Sequence, residues 1–323
     1  MSEQNPNGSS PADGDWQRQT LEKLAFSALK EQRRARHWSI FFKSLTFIYL
    51  FILLFYALDW MGEGSGSGLN HTALIDIQGV IGDQNEVNAD DVVASLQSAF
   101  DNKRTKGVIL RINSPGGSPV QAGIINDEIR RQRKLHPNVP IYAVVEDMCA
   151  SGGYYIAVAA DRIYVDKASI VGSIGVLMDG FGFTEAMKKL GVERRLLTAG
   201  ENKGMLDPFS PLKPKEKAYA QQMLDQIHQQ FISVVREGRG SRLKEEENPD
   251  IFSGLFWTGE TSIKMGLADA LGNTEFVARD VIKEDNIVDF TVHESLADRF
   301  ARRFGTSMSS ALLSKFTGLT GLR

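Results

Sequence analysis

Asn113-Ser114-Pro115-Gly116-Gly117 and Cys149-Ala150-Ser151-Gly152-Gly153 lie between Gly107 and Pro214, and their reading decides the fold. Each follows a short β-rich run, 108–112 and 141–145, and each precedes a segment with helical character. A strand that feeds a helix through a glycine turn presents backbone N–H groups at the helix start, where negative charge is stabilised. Such turns suit an oxyanion. Ser151 then stands where an activated hydroxyl is wanted, and Gly152 and Gly153 let a substrate backbone approach closely.

Outward from these loops, strand and helix patterns alternate. Strands are expected at 73–81, 108–112, 141–145 and 162–165, and helices at 89–102, 120–134 and 153–160. Alternation of this kind argues for an α/β fold of parallel βαβ units, whose reactive loops gather at the carboxyl ends of the strands. Both glycine turns lie at such ends and so belong to one face of the domain. Farther on, 171–176 reads as a glycine-bent run, 183–190 as a short amphipathic helix and 192–197 as an edge-like strand. A long helix from Pro214 to about Arg236 is expected to bury Met223, Ile227, Phe231 and Val234 or Val235. Helices at 260–266 and 274–282 and a strand at 287–292 complete the domain; Glu260 and Asp269 read as structural.

Several motifs in one order carry a resemblance. Asn113-Ser114-Pro115-Gly116-Gly117, then Ala150-Ser151-Gly152-Gly153-Tyr154-Tyr155-Ile156-Ala157, then Gly172-Ser173-Ile174-Gly175-Val176, and Lys203 ahead of Ser210-Pro211 resemble the signal peptide peptidase A family of Ser-Lys peptidases. The similarity runs from about residue 73 to about residue 271, and a single Ala-Ser-Gly-Gly block matches the family's short, single-domain form. The resemblance implies a Clp protease/crotonase-like spiral of ββα units and a catalytic dyad of Ser151 and Lys203. It also implies an oxyanion site at Gly116 or Gly117 with Gly152, a substrate cleft bordered by Ser173 and Gly175, and rings or domes in which neighbouring copies complete each cleft.

A lysine in a loop is ordinarily solvated. Lys203 is bracketed by Gly200 and Gly204, which allow a tight inward turn, and it follows Ser151 at the interval of the family's single-domain form. Lys213, Lys215 and Lys217 are poorer candidates, because they flank or open the long helix. Among the histidines, His37 precedes the apolar segment, His136 lies in a turn, His228 falls within the long helix, and His71 and His293 sit near the domain's ends. None occupies a loop next to a nucleophile motif, which disfavours a Ser-His-Asp arrangement. Their scatter, with Cys149 as the sole cysteine, implies no metal and no cofactor. Cys149 itself reads as a small buried residue and permits no intrachain disulfide.

The 323 residues carry a net charge of -3, which gives no nucleic-acid footprint. Residues 1–15 have almost nothing to bury and are expected to be disordered. A basic run, Arg33-Arg34-Ala35-Arg36, leads into an apolar stretch at 39–61, long enough to cross a bilayer as a helix, with Tyr56 and Trp60 placed for the far interface. No small-x-small cleavage site follows, which weakens a signal-peptide reading. Lys and Arg precede the segment and the first to follow is Lys103, so the N-terminus is expected in the cytoplasm and the catalytic domain in the periplasm, on a single-pass inner-membrane anchor. The expected order is a cytoplasmic segment 1–38, a transmembrane helix 39–61, a linker 62–70, a peptidase domain 71–292 and an amphipathic tail 293–323. The expected partners are peptide substrates, the lipid bilayer and further copies of the chain. The expected function is a membrane-anchored serine endopeptidase acting on cleaved signal peptides and other unstructured apolar peptides. Its alternatives are an inactive membrane scaffold of the same fold and a crotonase-type acyl-CoA enzyme.

Overall fold

The computed structural model describes residues 11–62 and 69–292. The expectations for 1–10, the tether at 63–68 and the tail at 293–323 lie outside the described residues. The chain divides into two units, Met1–Ser67 and Gly68–Arg323.

The first unit is one helix, α1 (Pro11–Gly62). It includes residues 11–15, which were expected to lack structure. Within it, Lys30–Tyr56 is long and apolar enough to cross a membrane, and its side chains are exposed on every side. At 1.5 Å per residue these 27 residues span roughly 40 Å, against a hydrocarbon core of about 30 Å.

The second unit is the α/β domain. Its strands are β1 (His71–Ile81), β2 (Thr105–Gly117), β3 (Ile141–Ala150), β4 (Arg162–Val165), β5 (Ile170–Gly172), β6 (Phe256–Thr258), β7 (Ala270–Leu271) and β8 (Ile287–Asp289). Its helices are α2 (Ala89–Asp101), α3 (Pro119–Leu135), α4 (Gly152–Ala157), α5 (Thr184–Lys189), α6 (Pro214–Arg239), α7 (Gly259–Lys264) and α8 (Thr274–Phe276), the last continuing as a π-helical turn through Val277–Ile282. The sheet runs β6-β5-β3-β2-β1-β8, and β4 joins β3 to β7. Every pair is parallel except β5 with β6. Strand β3 pairs with β4 at 142–144 and with β5 at 148–150, so the sheet splits along β3.

Parallel strands covered on both faces read as nearly continuous apolar runs. Ala73, Ile75 and Ile77 of β1 and Val108, Leu110 and Ile112 of β2 face the main core, where Leu96 of α2 and Ile125 and Ile129 of α3 are fully buried. Leu74, Ile109 and Val144 point the other way, onto Val277 and Ala278. Asn88 caps α2 by accepting the Asp91 N–H at 2.9 Å, and Ser118 caps α3 with Pro119 in its first turn.

Two expectations need correcting. Residues 192–197 alternate like a strand but form none, since no partner strand within the described residues offers hydrogen bonds to them. In α6, Phe231 and Val235 are buried as expected, whereas Met223 is exposed and Ile227 lines a cleft rather than the core.

Candidate active site

The segment 113–117 stays in β2 instead of forming a loop, and two irregularities bend it. Register shifts fall between Ile112 and Ser114 against β3, and between Gln78 and Val80 against β1. Such bulges re-aim a strand locally. The buried Ser114 hydroxyl fixes the result: it donates to Gly79 O at 2.7 Å and accepts the Gly116 N–H at 3.1 Å.

Strand β3 delivers the other half. Ser151 follows it at the corner before α4 with φ 51, a conformation that costs a non-glycine residue energy and recurs where a nucleophile is presented on a strand-to-helix turn. The corner is held at both sides: Ser151 N–H donates to Gly172 O at 2.9 Å, and Ser151 O accepts the Tyr155 N–H at 2.9 Å. Farther along, the Tyr154 hydroxyl donates to Leu267 O at 2.8 Å and Tyr155 O accepts Asn126 Nδ2 at 2.6 Å.

The two loops meet. Gly116 has φ 103, and a methyl group built on it would stand 2.7 Å from both Gly152 N and Ser151 Cβ. A methyl on Gly152 would lie 3.2 Å from Gly117 N. Only glycine tolerates that approach at Gly116. The Gly116 N–H is taken by the Ser114 hydroxyl.

Ser151, Gly117 and Gly152 open onto a cleft of about 520 Å³. Ser173, Gly175, Val176 and Leu177 line it from the bend after β5; Ile227, Gln230 and Phe231 line it from α6; Ser253 and Gly254 complete it. Ser173 also has a positive φ, 52, and its N–H donates to Leu255 O at 2.7 Å. The expected site residues Ser151, Gly116, Gly117, Gly152, Ser173 and Gly175 thus come together in one chain.

Lys203 stands apart. It lies in a turn closed by its own N–H donating to Gly200 O at 3.1 Å; its side chain is exposed and it is not among the cleft-lining residues. The turn forms, but it does not carry the lysine inward within its own chain. Around it, 177–213 exposes Leu177 (81%), Phe181 (79%) and Leu197 (96%).

Cys149 is fully buried beside this site, and burial pushes its thiol well above the ordinary range, so it is inert as a nucleophile. Among the described residues no group of three His, Cys, Asp or Glu side chains is disposed to hold a metal. Sequence reasoning placed His228 in the long helix but did not foresee its Nε2 standing 3.1 Å from Ile174 O, and it missed the wall residues Gln230, Ser253 and Gly254. Their positions carry no local motif; only the helical period placing Ile227 and Phe231 on one face hints at the α6 wall.

Residues 133–287 match the profile of peptidase family S49. The Na(+)/H(+) antiporter NhaA of Brucella melitensis biotype 1 is 49% identical over 178 residues, covering 55% of this chain and 24% of that protein. A protein of Enterococcus faecium with the provisional name signal peptide peptidase SppA is 28% identical over 253 residues, 76% of this chain and 72% of its own. Among solved structures, a variant of the 1510-N membrane-bound stomatin-specific protease in complex with a substrate peptide superposes with a TM-score of 0.45 at 15% identity, covering 73% of this chain and 98% of that one. The chain spans about a quarter of the length of the Brucella protein.

Proposed function

From a chain whose residues 133–287 match peptidase family S49, we infer a membrane-anchored serine endopeptidase that cleaves extended, apolar peptides, cleaved signal peptides among them. One observation carries this reading: Ser151 is held at φ 51 on a strand-to-helix corner, against the glycines of β2 and at the mouth of an apolar cleft. Ser151 Oγ attacks the scissile carbonyl, and the N–H groups of Gly117 and Gly152 receive the charge that develops on its oxygen. The neutral amine of Lys203 accepts the Ser151 proton and passes it to the leaving amine; a water then releases the acyl group by the reverse sequence. A lysine acts this way only where burial favours its uncharged form.

That requirement and the exposure of Lys203 in a single chain favour delivery of the lysine by a neighbouring copy, with the apolar surface of 177–213 as the contact. The anchor is α1, with the N-terminus cytoplasmic and the domain periplasmic. The exposed Lys203 is also what an inactive scaffold of the same fold would present, so the test must separate the two.

Peptide hydrolysis by the full chain in detergent should fall by roughly 10² to 10⁴ in Lys203→Ala, and Lys203→Arg should fail equally because a guanidinium stays protonated. Ser151→Ala and Lys203→Ala are each expected to be inactive alone and to regain part of the activity when co-expressed, since mixed assemblies would contain sites with both intact residues. Near-normal turnover in Lys203→Arg contradicts the lysine base, and no recovery on co-expression contradicts the shared site. A wild-type chain with no peptidase activity leaves the scaffold.

A further inference from the structure

Helix α6 and the bend after β5 both line the cleft, and a hydrogen bond from a side chain of α6 joins them. His228 projects from α6 between the cleft-lining Ile227 and Gln230, is half-buried, and places Nε2 3.1 Å from Ile174 O. A carbonyl oxygen only accepts, so Nε2 carries the proton and donates it. That commits this nitrogen to the bend and away from any role as base at Ser151.

The bend needs holding. Gly175 N–H donates to Ser173 O at 2.9 Å, closing a three-residue turn around Ile174, while Ser173 itself sits at φ 52. The Ile174 side chain is fully buried and the Ser173 N–H is tied to Leu255 O, so the core and the 253–255 loop each anchor the turn. His228 adds the tie from α6. Directly beyond, Val176, Leu177 and Met178 make no hydrogen bonds among the described residues. They leave the bend as an unpaired stretch, of which Val176 and Leu177 line the cleft of Ser151, and an unpaired backbone is what an extended peptide pairs with when it adds as a strand.

We propose that His228 is a positioning residue for peptide binding: its Nε2–H, held on Ile174 O, sets the separation of the two cleft walls and the direction in which 176–178 leaves the bend. The proposal rests on the peptidase reading above. It places His228 in binding rather than chemistry, because it touches neither Ser151 nor the glycine N–H groups.

The experiment uses the full chain in detergent with Ser151→Ala as the uncleaving parent and a fluorescein-labelled, unstructured alanine-leucine peptide as probe, read by fluorescence anisotropy. Adding His228→Leu should weaken binding about tenfold, the scale of one lost hydrogen bond to a part-buried carbonyl. Adding His228→Gln, whose amide nitrogen reaches the place of Nε2, should restore binding close to that of the parent. In the chain with Ser151 intact, His228→Leu should raise KM by the same factor and leave kcat near wild type. Unchanged binding in His228→Leu, or equal loss in the Leu and Gln variants, overturns the proposal while leaving the peptidase reading in place. Failure of the Ser151→Ala parent to bind the peptide at all overturns the peptide cleft, and this proposal with it.

Discussion

Arg239 is almost fully buried at the end of α6, and its guanidinium donates to Gly266 O at 2.8 Å and to both Asp269 oxygens at 2.8 and 3.0 Å. Asp269 also accepts the Ile163 N–H at 2.7 Å and pairs with Arg242. Burial pushes the Asp269 carboxyl upward, but the Arg239 hydrogen bond and charge, the Ile163 N–H and Arg242 together hold it below the usual carboxylate range. A group whose folded pKa is depressed contributes stability above its unfolded value, near ~3.9, and loses it as pH falls through the folded value. Asp269→Ala should therefore destabilise the chain by roughly 3–5 kcal/mol in urea unfolding at neutral pH, since it strands a buried arginine, with the difference shrinking below about pH 4. Equal stability of the variant and wild type at pH 7 would contradict this. The structural role of Asp269 was legible in the sequence, and so was the strand-to-helix corner at Ser151, because a serine among glycines after a β-rich run announces its own backbone. Ser114 and His228 were not legible in their roles: each acts on a backbone atom, Gly79 O or Ile174 O, that lies 35 or 54 positions away, and no local pattern encodes that meeting.

At the scale of elements, the helix starts fell within a residue or two of the expected positions, where Asn88 and Ser118 cap α2 and α3 and Pro214 opens α6. Strand lengths did not follow the expectation. The expected strands 108–112 and 141–145 extend to Thr105–Gly117 and Ile141–Ala150, because parallel neighbours carry the pairing past the apolar runs: Ser114 pairs with Cys149 of β3, and Gly116 and Gly117 pair with Val80 and Ile81 of β1. The reverse error at 192–197 has the same origin, since alternation without a neighbouring strand gives no ladder. Helix α6 shows a third limit. Its apolar stripe is periodic throughout, but only its second half reaches the core, and Ile227 is spent on the cleft.

At the scale of the molecule, the sequence separated an apolar helix from an α/β domain, and the two units are distinct. What it did not reveal is that the residues of the expected dyad lie in different settings, Ser151 at a cleft and Lys203 exposed, since a single chain carries no record of its neighbours. Basic residues precede the apolar segment and the first to follow it is Lys103, the charge asymmetry from which the proposed orientation is read. An alkaline phosphatase fusion after Gly68 should be active; activity only from a cytoplasmic reporter at that point would reverse the orientation. Activation of Ser151 as a nucleophile is read most directly by fluorophosphonate labelling of the full chain with the adduct located by mass spectrometry. The account predicts an adduct on Ser151, loss of peptide hydrolysis in proportion to labelling, and no adduct in Ser151→Ala. A folded wild-type chain that hydrolyses peptide with Ser151 unlabelled, or that carries its inactivating adduct on another residue, would contradict it.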